Sequence, residues 1–504
     1  DIDLEGSIDV NGTANLDVVD IDGAVDMATT LAVAGNVDFN GDLDVDGTSN
    51  LDVVDIDGAV DMASTLTVAG VLTGASLDIS GNVDVDGTTE TDVLTINGSQ
   101  LNYKAFGTSS IMIGDTTTGT IDAANNNVGL GVDVFAALTS GDQNIAIGTG
   151  ALDALTSQHD NVAIGYNALS TETTGYRNVA IGSNAGATQN TGTNNVLVGY
   201  NAGTANTTGD QNTFIGSDSG DTNTEGALNV AVGASALFAN TTGDANVAVG
   251  KSSLAANTTA DYNTAVGHNT LAANTTGYNN VAVGGLALDA NTTALGIVAV
   301  GYQALTSHTT GTRNTAVGQQ SQFGITTGQY NTSLGYHTLT AQTTSNFSTA
   351  VGAECLKLNT SGSGNTGLGV VALAANTEGD NNVAVGYAAS LAQTTQDGNT
   401  AVGNNALVGC TTGLGRNVGV GFNGGSSITT GAANTHVGWS AGGETTGNGN
   451  TTVGYITNPG TATAENRIVI GYAYSGTANN RVHLGSNGGH IYNDYTSNAT
   501  WTQT

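Results

Sequence analysis

The sequence predicts an all-β protein whose main part is a parallel β-solenoid, or β-roll, built from 17-residue rungs. Two observations predict this fold. A glycine recurs with a constant period, at Gly114, Gly131, Gly148 and onward to Gly403, without a gap. A short β-branched alternation, such as Val162, Ala163 and Ile164, stands directly before each glycine and is typical of a strand. A period this strict indicates stacked repeats in which each unit contacts its neighbours.

Positions in the repeat are counted from this glycine, which is position 0. Position −1 is always Val, Ile or Leu, position −3 is nearly always Val, Ile or Thr, and alanine usually lies between them. Position −4 is Asn in 15 of the 18 copies, and identical polar side chains stacked in this way are predicted to hydrogen-bond along the ladder. A second glycine at +10, such as Gly175, predicts a tight turn with positive φ.

Both faces of the predicted strand are apolar, and alanine keeps one of them small. The few large apolar side chains of each rung offset only part of the conformational entropy lost when a whole rung becomes ordered. Burial of the alanine face between chains would add to the stability. We therefore expect a homo-oligomer, and in particular a homotrimer.

Composition limits the partners of the chain. It has 42 acidic and 8 basic residues, so we expect no nucleic-acid partner, because phosphate binding needs Lys and Arg. No run of about 18 apolar residues occurs, so we expect no membrane insertion. Two cysteines, Cys355 and Cys410, are too few for a disulfide framework and are expected to be unpaired.

Residues 1–103 are predicted to form an acidic, repetitive β-shaft. They contain 21 acidic residues and no Lys or Arg, and Asp alternates with Val, Ile or Leu, which indicates half-buried strands with the acids outward. We expect three chains to wind into this slender shaft. Asp42, Asp44 and Asp46 match the first half of a calcium loop, but Val53 occupies its twelfth position. Solvated strand acids are the first interpretation, and calcium held by stacked acids is the alternative.

The strict solenoid is assigned to residues 104–404, and residues 405–504 form a third region with irregular repeats and an aromatic-rich tip. Its repeat glycines are unevenly spaced, at Gly421, Gly438, Gly454, Gly471 and Gly485. Irregular segments on a rigid scaffold often carry recognition, and aromatic rings bind at low entropic cost. The alternative is that these rings only cap the last rungs. The candidates for receptor binding are Trp439, Tyr472, Tyr474, Tyr492 and Tyr495.

No motif in the sequence predicts catalysis or a cofactor. Residues 419–424 fit G-x-G-x-x-G, but they lie within the repeat and no helix is predicted after them. The seven histidines have no metal-ligand spacing, and no Ser-His-Asp grouping stands out. Five Asn-Thr-Thr sequons share one column, which indicates a turn ladder and not glycan acceptors. These sequons begin at Asn206, Asn240, Asn257, Asn274 and Asn291.

Rungs such as 246–250, Asn-Val-Ala-Val-Gly, resemble the head repeats of trimeric autotransporter adhesins, which build a trimeric left-handed β-roll. The 17-residue rung with its Thr-Thr-Gly turn is longer than those repeats. Together with the acidic shaft, the rungs look more like the receptor-binding tail fibres of tailed phages, marine phages especially. Residues 490–501 resemble the lead-in to an auto-cleaving endosialidase-type intramolecular chaperone, which implies a cleavage point after Thr504.

This resemblance implies a non-enzymatic homotrimeric fibre of a virion tail that recognises the host surface. The implied partners are other virion tail proteins at the N-terminal end and a polysaccharide or protein receptor on the host cell. One alternative is a bacterial surface adhesin or extracellular filament of the same trimeric build. A second alternative is a polysaccharide depolymerase of the tailspike type.

Overall fold

The computed structural model describes residues 110–114 and 124–494, four short strands outside these ranges and scattered positions between 12 and 37. The chain divides into two units, 1–89 and 90–504, and the fold given below is that of the second. Most of the predicted acidic shaft, including Asp42, Asp44 and Asp46, lies outside the described residues. In the part that is described, no helix is long and apolar enough to cross a membrane.

The second unit is all-β in its described residues. Its first and last strands are β1 (Leu94–Ile96), β2 (Ser99–Leu101), β3 (Tyr103–Phe106), β26 (Arg481–Ser486), β27 (Gly489–Asp494) and β28 (Thr502–Gln503). Between them lie β4 (Ser110–Gly114), β5 (Val128–Gly131), β6 (Ile145–Ile147), β7 (Val162–Ile164), β8 (Val179–Ile181), β9 (Val196–Val198), β10 (Thr213–Ile215), β11 (Val230–Val232), β12 (Val247–Val249), β13 (Thr264–Val266), β14 (Val281–Val283), β15 (Val298–Val300), β16 (Thr315–Val317), β17 (Thr332–Leu334), β18 (Thr349–Val351), β19 (Thr366–Leu368), β20 (Val383–Val385), β21 (Thr400–Val402), β22 (Val418–Val420), β23 (Thr435–Val437), β24 (Thr451–Val453) and β25 (Ile468–Tyr472).

These strands form a parallel β-solenoid with one strand in each rung, as the glycine period predicts. Strands β4 to β26 each pair in parallel with the next, which gives 23 strands and 22 turns. Antiparallel pairs flank the ladder: β3 pairs with β4 at one end, and β26 with β27 and β27 with β28 at the other. β1 and β2 form a separate antiparallel pair.

The register follows the repeat even where the repeat changes length. Val249 lies opposite Val266, which is one regular period further along the chain, whereas Val402 lies opposite Val420, which is one position beyond the regular period. The ladder continues across this longer rung because the extra residue is accommodated in the turn, where Leu414 is 77% exposed. Changes in repeat length therefore alter the turns and leave the strand pairing intact.

The small alanine at position −2 faces the core of its own chain. Ala248 is fully buried in β12, whereas Val247 and Val249 on either side of it are half-buried. Buried residues at +3 and +4, such as Ala168 and Leu169, complete this core. The prediction that the alanine face is buried between chains is therefore wrong. Successive strand side chains alternate, and positions −3 and −1 are the ones that face outward.

The side-chain sizes at core positions −2 and +4 compensate each other along the ladder. The commonest combination is Ala at −2 with Leu at +4, but Leu197 and Phe214 occupy −2 in two successive rungs. Glycine then replaces leucine at +4, at Gly186, Gly203 and Gly220. A Cβ atom on Gly203 would lie 2.8 Å from Leu197, and one on Gly220 would lie 2.6 Å from Phe214. These glycines therefore make room for the larger side chains of a close-packed core.

Two buried asparagine columns run along the core, so the prediction of hydrogen-bonded ladders is confirmed. At position −4, Asn229 Oδ1 accepts the N–H of Asn246 at 2.9 Å, and Asn229 Nδ2 donates to the carbonyl oxygen of Gly243 at 2.8 Å. At position +7, Asn240 Nδ2 donates to Asn223 Oδ1 at 2.7 Å. Buried amides need such partners, and the repeat supplies them from rung to rung.

The Asn-Thr-Thr sequons lie in the second of these columns. Their amide nitrogens, to which a glycan would be attached, donate hydrogen bonds inside the core, as Asn257 Nδ2 does to Asn240 Oδ1 at 2.9 Å. The interpretation of the sequons as a turn ladder is confirmed. The fully buried members are Asn206, Asn240, Asn257, Asn274 and Asn291.

Glycine is favoured at position +10 for a different structural reason from the one predicted. Gly175, Gly209 and Gly243 do not have positive φ, in contrast to Gly165 at position 0, whose φ is 141°. A Cβ atom on Gly243 would lie 2.5 Å from the carbonyl oxygen of Ala260 in the next rung. Close approach between rungs, and not a left-handed turn, is therefore what favours glycine at +10.

An alternating backbone after position 0 was not predicted. Asn167 and Leu169, at +2 and +4, are left-handed with φ of 52° and 50°, and Leu237 repeats this with φ of 55°. This region is unfavourable for leucine. Burial of the leucine side chain and hydrogen bonds between rungs, such as Leu237 N–H to the Ser253 carbonyl oxygen at 2.9 Å, stabilise it here.

Candidate functional site

The outward face of the solenoid is the surface formed by positions −3 and −1 from Ile111 to Ile470. These two columns contain only Val, Ile, Leu and Thr, although the chain has a net charge of −34. Strand alternation directs both columns away from the core. The Val, Ile and Leu members that are exposed by more than a third are Ile111, Val128, Leu130, Ile181, Ile215, Val281, Leu334, Leu368, Val402, Val437 and Ile470.

This face is large for an exposed apolar surface. Some 22 strands at about 4.8 Å each and two columns about 7 Å apart give a strip of roughly 100 by 7 Å, or about 700 Å². Monomeric proteins rarely expose apolar patches larger than a few hundred Å², and a standard protein interface takes about 800 Å² from each partner. The outward face therefore has the size and polarity of an interface.

An aromatic ladder lies next to this face near its C-terminal end. It consists of Phe422, Trp439, Tyr455 and Tyr472, which occupy position +1 in four consecutive rungs. Successive ring centroids are 5.7, 5.0 and 5.1 Å apart, and the ring planes differ by 11°, 16° and 14°. The four side chains are 42%, 44%, 41% and 63% exposed. The ladder is thus a continuous, solvent-facing row of stacked rings.

The structure separates the five predicted receptor-binding residues. Trp439 and Tyr472 belong to the exposed ladder. Tyr474 is only 5% exposed, and its hydroxyl is 3.4 Å from His483 Nδ1. Its ring lies 4.4 Å from that of His490, so Tyr474 packs at the end of the solenoid. Burial raises the pKa of Tyr474, as expected for an enclosed phenol.

Tyr492 also packs within the terminal strands. The Arg481 guanidinium lies 4.6 Å from its ring centroid, and the His483 ring lies 5.9 Å away. Burial, with smaller effects of neighbouring cations, lowers the pKa of His483 to about 4, so the imidazole is neutral at pH 7. Tyr474 and Tyr492 therefore fit the alternative in which rings cap the last rungs. Tyr495 lies outside the described residues.

Phe422 and Tyr455 are the members of the ladder that sequence reasoning missed. Both occupy the column just after the repeat glycine, which also holds Tyr166 and Tyr200 in earlier rungs. In the earlier rungs other residues, such as Ser183 and Gln319, separate the tyrosines of this column. Four aromatic residues in successive rungs were the signal that could have identified the ladder.

Several titratable side chains lie inside the solenoid. Burial raises the pKa of Glu172 to about 7, raises the pKa of Cys355 and of Cys410 to about 12, and lowers that of His308 to about 4. All four side chains are fully buried, and both thiols are unpaired, as expected. These groups are part of the core and do not form a surface site.

The side chains of His436 and Glu444 are in direct contact in the same core. His436 replaces the usual alanine at −2, and its Nδ1 lies 2.7 Å from Thr452 Oγ1. Gly442 makes room for the imidazole, since a Cβ atom there would lie 2.6 Å from it. The pair is fully enclosed, so its evident role is to fill and connect the core.

A shallow groove of about 370 Å³ lies on a different side of three rungs. Leu358, Val371 and Leu391 line it together with three alanines, and the ion pair of Lys357 with Glu354, at 3.2 Å, lies at its edge. The cation in the groove is thus already neutralised by its own chain. Compared with the ladder, this groove offers few polar groups that would orient a ligand.

Within the described residues, no group of three or more His, Cys, Asp or Glu side chains could hold a metal ion. Models of known protein families, curated protein sequences and solved structures show no significant match to this chain. Among the described residues, the outward face and the aromatic ladder are therefore the surfaces that best fit a binding role.

Proposed function

We propose that this chain is a non-enzymatic adhesive fibre protein. Its solenoid is a stiff spacer that associates with copies of itself, a homotrimer in particular, through the outward face. The aromatic ladder near the C-terminal end is the recognition surface. Hydrogen-bonded rungs that contact only their neighbours make such a solenoid suited to spanning distance.

The observation that carries this proposal is the absence of charge from the outward face of a chain with net charge −34. Depletion of charge at the centre of a contact surface is typical of protein interfaces. Burial of a half-exposed valine or isoleucine contributes about 1 kcal/mol, and the face repeats over more than 20 rungs. The total is large enough to exceed the roughly 4–15 kcal/mol cost of association.

The setting we propose is a virion tail. The resemblance of rungs such as 246–250 to adhesin heads and phage tail fibres supports it. In that setting the acidic N-terminal region would join other virion tail proteins, and the ladder would contact a receptor on the host cell. The same build would serve a bacterial surface adhesin, for which an export signal upstream of Asp1 would be the distinguishing feature.

The test of the proposed contact surface places charge on the outward face. We expect the double substitution Val249→Asp and Val266→Asp to weaken self-association, because both side chains are outward and neighbours on the ladder and two buried carboxylates per chain would oppose contact there. The control is Thr259→Asp on an exposed turn position, which adds charge away from this face. Light scattering measures the mass of each variant, and circular dichroism verifies that it folds. Unchanged association of the folded double variant would contradict the proposal.

A further inference from the structure

The aromatic ladder restricts the chemistry of the receptor. We propose that Phe422, Trp439, Tyr455 and Tyr472 bind an uncharged, extended glycan chain that lies parallel to the solenoid axis, with one sugar unit beside each ring. This inference rests on the proposed adhesive function and adds to it the class of receptor and the direction in which it lies.

The stacking geometry determines which parts of the rings a ligand can reach. Trp439 lies between Phe422 and Tyr455, so both of its faces are covered and its edge is what remains exposed. Tyr472 differs because residue Ser486 is opposite it in the next rung, which leaves one face of the Tyr472 ring open. A ligand on this ladder therefore follows a row of ring edges and can stack on one ring face at the end.

The ladder also carries polar groups that need partners. Within the described residues, the Trp439 indole N–H and the hydroxyls of Tyr455 and Tyr472 have no hydrogen-bond partner in the protein. Sugar hydroxyls both donate and accept hydrogen bonds, while the C–H groups of a sugar ring suit an apolar edge. A row that combines apolar edges with spaced polar groups matches this mixture better than it matches a purely apolar ligand.

Charge distinguishes between classes of glycan. Positions −3, −1 and +1 of the four ladder rungs contain no Asp, Glu, Lys or Arg, while the whole chain has a net charge of −34. A carboxylated or sulfated polysaccharide would find no cation at these positions to pair with its charges. The surface therefore favours an uncharged glycan.

The spacing of the rings favours an extended chain. Successive centroids are 5.0 to 5.7 Å apart, and a hexopyranose unit in an extended chain is about as long as one rung is high. A chain that runs along the ladder can therefore repeat its contacts from ring to ring. The affinity should rise with chain length until all four rings are covered, and then level off.

The test uses the full chain and linear gluco-, manno- and galacto-oligosaccharides of two to six units, with galacturonic acid oligomers of equal length as the charged counterpart. Isothermal titration calorimetry measures the affinity for each probe. We expect at least one neutral series to bind, with an affinity that rises up to about four units, and the charged series to bind far more weakly. Absence of binding by every neutral series, or equal binding by the charged series, would overturn the inference.

Variants then locate the site. Trp439→Ala should weaken neutral-oligomer binding at least tenfold, which corresponds to about 1.4 kcal/mol. Tyr200→Ala is the matched control, because Tyr200 is 55% exposed at the same repeat position but is flanked by serines in the neighbouring rungs. Equal effects of the two substitutions would overturn the inference. Melting temperatures verify that both variants are folded.

The mass of each variant separates this inference from the fibre proposal. If Trp439→Ala lowers the oligomeric mass and leaves glycan affinity unchanged, the ladder belongs to the contact between chains and the glycan inference fails. If the chain binds neutral glycans through Trp439 as a single chain, the fibre proposal fails and the glycan site stands.

Discussion

At the scale of single residues, Glu172 is an exception within its column. Position +7 holds Gln189 and Asn206 in the next two rungs, and these are neutral amides. Glu172 Oε2 accepts a hydrogen bond from Gln189 Nε2 at 2.8 Å, and Glu172 Oε1 accepts the N–H of Gly175. These bonds favour the ionised carboxylate, but burial has the larger effect and raises the pKa of Glu172 to about 7.

This raised pKa makes stability depend on pH. The folded chain retains a proton on Glu172 that the unfolded chain releases above about pH 4.5, so the folded state binds more protons between pH 4.5 and 7. The contribution of Glu172 to the free energy of unfolding should fall as pH rises through this window, by an amount on the order of 3 kcal/mol. The lowered pKa values of His308 and His483 act in the opposite direction below about pH 6.5, so urea unfolding at pH 5 and pH 8 is compared between the parent chain and a variant without the Glu172 carboxylate.

Glu172→Gln tests the assignment of this effect to one side chain. The substitution restores the neutral amide of the column, so we expect it to raise the free energy of unfolding more at pH 8 than at pH 5, while the contributions of His308 and His483 stay unchanged. Glu225→Gln is the control, because Glu225 is an exposed carboxylate of the same solenoid. If both variants keep the pH dependence of the parent chain, Glu172 is not its source.

The compensating side-chain sizes at positions −2 and +4 give a second prediction at this scale. Phe214→Ala should cost about 3–5 kcal/mol through the cavity it leaves, and Gly220→Leu about 1–3 kcal/mol or more through overpacking. The left-handed backbone is not the obstacle at Gly220, since its φ of 58° is close to the 55° of Leu237 in the next rung.

The double variant Phe214→Ala with Gly220→Leu restores the usual combination of alanine and leucine. We expect it to be more stable than the sum of the single effects predicts, with a coupling of about 2 kcal/mol in a double-mutant cycle. Chemical unfolding of the four proteins gives this coupling. Additive effects of the two substitutions on the free energy of unfolding would show that the side-chain sizes at these two core positions do not compensate each other.

At the scale of the elements, the strand columns and their period could be predicted because side-chain alternation and glycine spacing are local properties. Which face of the strand points to the core could not be predicted. Alternation shows only that Ala248 points away from Val247 and Val249, so either side could have been the core. The left-handed backbone at +2 and +4 was also missed, since residues such as Leu169 disfavour it and only contacts between rungs stabilise it.

The candidate site was predictable in part for a related reason. Trp439 and Tyr472 stand out as aromatic residues in an irregular region, and the structure places both in the ladder. Tyr474 stands out in the same way but is buried, because it lies at the end of the parallel ladder where antiparallel strands pack on it. Local composition identifies aromatic residues, but burial depends on long-range packing.

One rung is the unit in which the solenoid can be shortened. Removal of residues 246–262 joins two rungs in register, so we expect the protein to fold and the solenoid to become about 5 Å shorter. Removal of residues 246–253 should prevent folding of the ladder, because the remaining half rung cannot supply a strand to its neighbours. Circular dichroism and electron microscopy measure both outcomes, and equal tolerance of the two deletions would contradict the rung assignment.

At the scale of the whole molecule, charge and apolar surface are segregated. The solenoid has its own core within one chain, and yet the outward face leaves Val, Ile and Thr half-exposed along more than 20 rungs. The net charge of −34 opposes contact between copies, and an uncharged contact surface avoids adding close like-charge pairs to this repulsion. Self-association through the outward face reconciles these two properties.

The mass of the native particle in solution tests this account most directly. Native mass spectrometry of the full chain at micromolar concentration should give a particle of three chains, each of 49.9 kDa. Under the same conditions the Val249→Asp and Val266→Asp double variant should give a larger share of single folded chains than the parent protein does. A parent protein that remains a stable single chain at micromolar concentration would contradict the account.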